Sequence, residues 1–132
     1  QHGPGTENSI GAVAQAFGES APLVAIPAGY DRAKTDVDPK FNSLINYQQV
    51  SKSCEQLSDP DAVGETMRRA FSAVRNGRPR PAVVEVPKDV FPLELSEELE
   101  YTPTGASRLG PDPVAVEAVA EKLEDEEESN GS

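Results

Sequence analysis

Two short apolar runs constrain this chain most. Pro22-Leu23-Val24-Ala25-Ile26-Pro27 and Ala82-Val83-Val84-Glu85-Val86 are nearly free of polar residues and too short for typical helices. Runs of this kind suit strands buried on both faces, as in parallel sheets. Between them lies the clearest helical pattern. Asp59 is a candidate N-cap, Pro60 takes the first helical position and Gly77 ends the segment. Val63, Met67, Ala70, Phe71 and Val74 fall on one stripe. Arg68, Arg69 and Arg75 sit in the later half, where the helix dipole favours cations. Strand, crossover helix and strand make a βαβ unit with a parallel pair.

The flanking segments are read the same way. Gly3-Pro4-Gly5-Thr6 is a turn, with Thr6 as a cap for a helix over residues 7–17. Its buried stripe is expected at Ile10, Val13, Ala14 and Phe17, and Gly18 suits its end. Gly11, Ala12, Ala14 and Ala16 let another element approach closely. Residues 31–50 are polar and predict a long irregular connection with a short helix near residues 47–50. Residues 92–111, with Pro92, Pro103, Gly105, Gly110 and Pro111, read as a linker. Asp112-Pro113 then opens a second capped helix over 112–124, with Val116, Val119, Ala120 and Leu123 on one face. An apolar stripe with nothing after it to pack on suggests the start of a further domain, cut short. Residues 125–132 read as an acidic, solvated tail.

Charge and composition exclude several classes. The 132 residues carry 23 acidic and 12 basic side chains, a formal net charge of −11. Nucleic-acid binding needs clustered Lys and Arg, and an anionic membrane surface needs the same. No stretch approaches the roughly 20 apolar residues of a membrane span. Cys54 is the one cysteine, which excludes an internal disulfide and fits a reducing cytoplasm. His2 is the one histidine, so no His-based metal set is available. Scattered carboxylates with few lysines also fit a protein kept soluble in concentrated salt.

Several ordered segments carry a family resemblance. Gly3-Pro4-Gly5-Thr6-Glu7-Asn8, then Gly11, Ala14 and Ala16, lead to Ser20-Ala21-Pro22-Leu23-Val24-Ala25-Ile26. Phe41-Asn42, Val50-Ser51-Lys52, Glu55 and Met67-Arg68-Arg69-Ala70 follow in order. Gly77-Arg78-Pro79-Arg80-Pro81-Ala82-Val83 and Val86-Pro87-Lys88-Asp89-Val90 complete the series. Over residues 1–90 the chain resembles thiamine-diphosphate-dependent enzymes of the acetolactate synthase and benzoylformate decarboxylase kind.

The resemblance implies an α/β fold: a partial flavodoxin-like parallel sheet with flanking helices. Residues 1–91 would be the C-terminal part of an incomplete pyrimidine-binding domain. Helix 112–124 would open a truncated central domain. Gly3, Pro4, Gly5 and Asn8 would face the cofactor's aminopyrimidine, and Gln1, His2, Asn42 and Lys52 a 2-keto acid channel. In the complete enzyme thiamine diphosphate carries the chemistry, with Mg²⁺ and the diphosphate held by a Gly-Asp-Gly motif on another domain. No Gly-Asp-Gly occurs here, and Glu7, Glu19, Glu55 and Glu85 lie outside the family's activating-glutamate motif. That glutamate is expected upstream of residue 1. The expectation is therefore a chain with no catalytic residue and no metal site of its own. It would bind no cofactor by itself and act as a homo-oligomer or with a missing enzyme segment. A non-catalytic association module derived from the same domain is the alternative.

Overall fold

In the computed structural model, which describes residues 2–35, 37–107 and 110–130, three lines of strand run parallel. Helix α1 spans Pro4–Gly18, strand β1 Val24–Ala25 and strand β2 Ala28–Gly29. A 3-10 turn at Arg32–Lys34 and helix α2, Ser43–Tyr47, lead to strand β3, Ser53–Gln56. A second 3-10 turn, Pro60–Ala62, precedes helix α3, Val63–Arg75, and strand β4, Ala82–Pro87. Helix α4 spans Pro113–Asn130.

β4 is the central strand. β1 and β2 pair with one of its edges and β3 with the other. Val24 lies opposite Ala82 and Ala28 opposite Val86, so the register is unchanged from β1 to β2. The two are one strand line interrupted at Ile26-Pro27. Pro27 still accepts from Val86 N at 2.9 Å, and Leu23 from Ala82 N at 2.8 Å. Every residue of β4 is buried, as a strand covered on both faces requires.

Side-chain alternation along β4 divides the core into two layers. Ala82, Val84 and Val86 pack with Leu57, Ala70, Val74 and Val90 on the α3 side. Val83 packs with Val13 of α1 and Tyr47 of α2 on the other. Each fully buried valine contributes on the order of 1.5–3 kcal/mol.

Several element ends differ from the sequence expectation. α1 begins at Pro4, with Gly3 in the cap position at φ 67°. Proline's fixed φ starts a helix without needing its missing N–H. Thr6 is therefore inside the helix, and its hydroxyl donates to Ala28 O at 3.2 Å instead of capping. At the far end Ser20, at φ 59°, makes the left-handed turn, and Ala21 N reaches Ala16 O at 2.9 Å. The short helix in the polar connection is α2, earlier than expected, because Asn42 Oδ1 caps it through Ile45 N at 3.1 Å. β3 was absent from the sequence expectation.

The segment expected as a linker is fastened along α3. Ser96 N donates to Asp61 Oδ1 at 2.8 Å, and Leu99 lies against Gly64. The Arg68 guanidinium stands 5.9 Å from the Tyr101 ring centroid. Thr104 O accepts from Arg75 Nη1 at 3.3 Å, and Ser107 donates through N and Oγ to Asn76 Oδ1, each at 2.7 Å. This strap follows α3 from its first turn to its last. α4 then runs through residues 125–130, where an acidic tail was expected, and glutamate is a good helix former. Val114, Val116, Val119 and Leu123 are exposed on it. The last two residues of the expected tail, Gly131 and Ser132, lie outside the described residues.

Candidate functional site

The carboxyl ends of the parallel strands form one rim. β2 ends at Gly29 and passes to Tyr30, β3 passes to Leu57 and Ser58, and β4 passes to Lys88 and Asp89. In open α/β sheets ligands bind outside this edge.

Arg32 ties the three strand ends together. Its N–H and Nε donate to the two oxygens of Asp89 at 3.0 and 2.9 Å. Its Nη1 donates to Ser58 O at 2.9 Å. The hydrogen bond from Arg32 holds the Asp89 carboxyl below the usual carboxylate range. Asp31 receives Lys34 at 3.1 Å and Lys88 at 3.7 Å.

The N-terminal loop reaches this rim. Gly3 is buried against Tyr30, and a Cβ there would stand 2.7 Å from Tyr30 Oη. The combination of positive φ and close approach restricts this position to glycine. His2 meets the Tyr30 ring edge-on, with centroids 5.0 Å apart, and Lys40 Nζ stands 5.7 Å from the same ring. α1 is seated by Tyr47, which is fully buried. Its hydroxyl donates to Thr6 O at 2.6 Å and lies 2.5 Å from Ser9 Oγ.

Beneath the rim lies a polar group that the sequence reading left unassigned. Glu85 of β4 is only 3% exposed, and its Oε1 accepts from Gln56 Nε2 at 2.8 Å. Gln56 Nε2 also faces Thr35 Oγ1 at 3.3 Å, and Ser58 Oγ donates to Gln56 Oε1 at 2.8 Å. Cys54 lies on the same face of β3, and burial pushes its thiol up to about 11, with the Glu85 and Glu55 carboxylates adding to the shift. Its thiol is thus protonated at neutral pH, the opposite of a reactive cysteine.

The expected site residues separate into groups. His2, Gly3, Pro4 and Gly5 come together at the rim. Asn8 is exposed on the second turn of α1. Asn42 spends its carboxamide oxygen on capping α2. Lys52 stands just before β3, at the opposite, amino end of the sheet, and donates to Asn76 O and Arg78 O. Gln1 lies outside the described residues. Tyr30, Arg32, Gln56 and Glu85 were not singled out as site residues. The available signals were the Pro87-Lys88-Asp89 run at a strand end and a lone acid inside a β-branched run.

No family model matches the chain. In sequence it is 30% identical over 117 residues to the probable acetolactate synthase large subunit of Methanocaldococcus jannaschii, covering 86% of this chain and 20% of that protein. It is 32% identical over 115 residues to the catabolic acetolactate synthase of Raoultella terrigena, covering 79% and 21%. Benzoylformate decarboxylase from Polynucleobacter necessarius has the same fold over 92% of this chain and 24% of its own, with a TM-score of 0.75 at 23% identity. The chain is homologous to a segment of the acetolactate synthases, thiamine-diphosphate-dependent enzymes, and spans about a fifth of the length of these two curated relatives.

The rim can be matched against that cofactor. Gly3 and the exposed Pro4 and Gly5 present backbone and little side chain, which suits one wall of a flat ring site. The diphosphate end needs a metal set. Among the described residues no group of three or more His, Cys, Asp or Glu side chains converges to hold an ion. No helix among them is long and apolar enough to cross a membrane.

Proposed function

We propose that this chain supplies the aminopyrimidine-side wall of a thiamine-diphosphate-dependent 2-keto acid lyase or synthase, together with a subunit contact. The observation that carries the reading is Gly3 seated on Tyr30 at the carboxyl rim of a parallel sheet. Gly3, Pro4, Gly5 and Asn8 line the cofactor side, with His2 nearest the substrate. Asn42 and Lys52 act structurally, one as a helix cap and one as a tie at the far end of the sheet. When bound, thiamine diphosphate supplies the carbanion chemistry. The chain's own groups shape one edge of its site. Activating glutamate, metal and diphosphate contacts come from elsewhere in the complete enzyme, so the isolated chain is inactive. Its place is a reducing cytoplasm, in keeping with the free thiol of Cys54. A turnover assay of the pure chain with pyruvate, thiamine diphosphate and Mg²⁺ tests this. No carbon dioxide release is expected above a contaminant-free blank, and sustained release would overturn the reading.

A second reading, an association module, is favoured by the β1/β2 edge. Leu23, Pro27 and Gly29 direct their carbonyls towards β4, so by alternation Val24 and Ile26 direct theirs outward. Pro27 therefore removes no outward donor. Leu23 is 37% and Ile26 54% exposed beside this edge. An apolar edge with its donors intact invites pairing. Sedimentation of the pure chain decides: a self-associated species supports it, and a folded monomer at all concentrations counts against it.

A further inference from the structure

Glu85 is an acidic side chain buried inside a strand whose neighbours are Val83, Val84 and Val86. Burying a carboxyl group without partners costs several kcal/mol, roughly 2–7 even for a neutral polar group. Its retention at the centre of the sheet needs a physical reason, and the contacts supply one. Glu85 lies against one end of the segment that carries Tyr30 and reaches the other through Gln56.

At the first end is Gly29. A Cβ on residue 29 would stand 2.5 Å from Glu85 Cδ and 2.6 Å from Oε1. Residue 29 must therefore lack a side chain for Glu85 to lie where it does. The carboxyl group is the surface on which the Gly29 backbone rests. At the other end is Thr35. Gln56 Nε2 bridges Glu85 Oε1 at 2.8 Å and Thr35 Oγ1 at 3.3 Å. Ser58 Oγ fixes the carboxamide from its oxygen side at 2.8 Å. The amide is thus oriented, and Glu85 meets a preset donor. The neighbouring Glu55 has a different task on the opposite face, where it pairs with Arg69 of α3 at 2.6 Å.

We propose that Glu85 is the positioning residue of the Tyr30 segment and, through Tyr30, of the Gly3 loop. It does not touch the proposed cofactor wall, since Gly29 and Tyr30 stand between. The inference rests on the reading above only in calling that loop a cofactor wall. The contact chain Glu85, Gly29, Tyr30, Gly3 stands on the geometry alone. A carboxyl group suits the task because its oxygen accepts the Gln56 amide hydrogen, which offsets the cost of burying a polar group there. Leucine would fill similar space and take the Glu85 acceptor from Gln56 Nε2, which would keep Thr35 Oγ1.

Amide hydrogen exchange of the full chain, without cofactor, tests the proposal. Glu85→Leu is expected to speed exchange across residues 29–35 about tenfold or more over any change in β3 and β4. It should also shift the ring resonances of His2 and Tyr30. Glu85→Gln, which keeps an acceptor oxygen, should recover most of both effects. If exchange rises equally in all strands, or does not rise at 29–35, Glu85 is only a core residue and the proposal fails. Should Glu85→Leu not fold, Gln56→Leu removes the same bridge from the half-buried side. It must give the same local signature, and its absence overturns the proposal. Because no cofactor is present, failure here differs from failure of the cofactor reading, which shows only in a complete enzyme.

Discussion

Arg32 and Asp89 face each other across the sheet's carboxyl rim in a two-point contact, backbone N–H at 3.0 Å and Nε at 2.9 Å. The pair joins the segment after β2 to the segment after β4, and Arg32 Nη1 adds the end of β3 through Ser58 O. Arg32 is exposed and Asp89 half-buried, so the contact locates the rim more than it stabilises the fold. Arg32→Ala should leave the thermal midpoint within a few degrees of the parent while exchange at residues 30–34 rises. The Asp89 carboxyl is held low by Arg32, so its contribution is present above the ordinary carboxylate range. It is lost as pH falls through the depressed value. Acid titration followed by NMR should show the rim loosening below the usual aspartate range, and Asp89→Asn should abolish that dependence.

Tyr47 seats α1 on the sheet. Removing its hydroxyl takes one donor from the Thr6 carbonyl, which still accepts from Ser9 Oγ at 2.8 Å, and removes a partner of Ser9 Oγ. Tyr47→Phe should cost about 1–2 kcal/mol in urea unfolding at unchanged slope. A loss near zero would mean that water replaces the phenol.

Cys54 should be slow towards thiol reagents. A thiol raised from 9.0 to about 11 carries about a hundredfold less thiolate near neutrality than an unshifted one. The folded chain keeps this proton longer than the unfolded chain, so the related stability is present below the ordinary thiol value and fades as pH rises towards 11. Burial is the larger cause, so Glu85→Gln should speed labelling only modestly, whereas unfolding should speed it strongly. Rapid labelling of the native chain at neutral pH would contradict the burial.

The strap along α3 should protect itself from proteases. Asp61 accepts from Ser96 N, which lowers its carboxyl from the ordinary value. Asp61→Ala together with Asn76→Ala removes an anchor at each end of the strap. Limited proteolysis should then cut within residues 92–107 much faster than in the parent, with the β4 core intact. Equal cleavage rates would show that the strap is loose in the parent as well.

The parts legible in the sequence share one property: their partners are apolar and periodic. Val24 and Val83 lie in β-branched runs, and the stripe from Val63 to Val74 repeats at helical spacing. β3 was illegible because Ser53-Cys54-Glu55-Gln56 carries no such pattern. Its faces are satisfied by Arg69 on one side and Glu85 on the other, partners 14 and 29 residues away. The strap was illegible for the same reason, since its hydrogen bonds to Asp61, Arg75 and Asn76 are made largely by its backbone. At the site, Gly3-Pro4-Gly5 was legible because glycine beside proline reports backbone geometry directly. Lys52 stands at the amino end of the sheet, and one lysine before a strand gives no sign of which end it joins. Glu85 sits inside a run that reads as a strand, and only the space above Gly29 shows what it faces.

The most direct test of the rim as a cofactor wall grafts residues 3–87 of this chain into the Methanocaldococcus jannaschii acetolactate synthase subunit, replacing the matched segment. Thiamine diphosphate affinity is then measured by calorimetry on the assembled chimera. The chimera should hold the cofactor, Gly3→Ala should weaken it by about tenfold or more while the chimera still assembles, and Lys52→Ala should leave it unaltered. Full affinity in the Gly3→Ala chimera, or a loss confined to Lys52→Ala, would contradict the account.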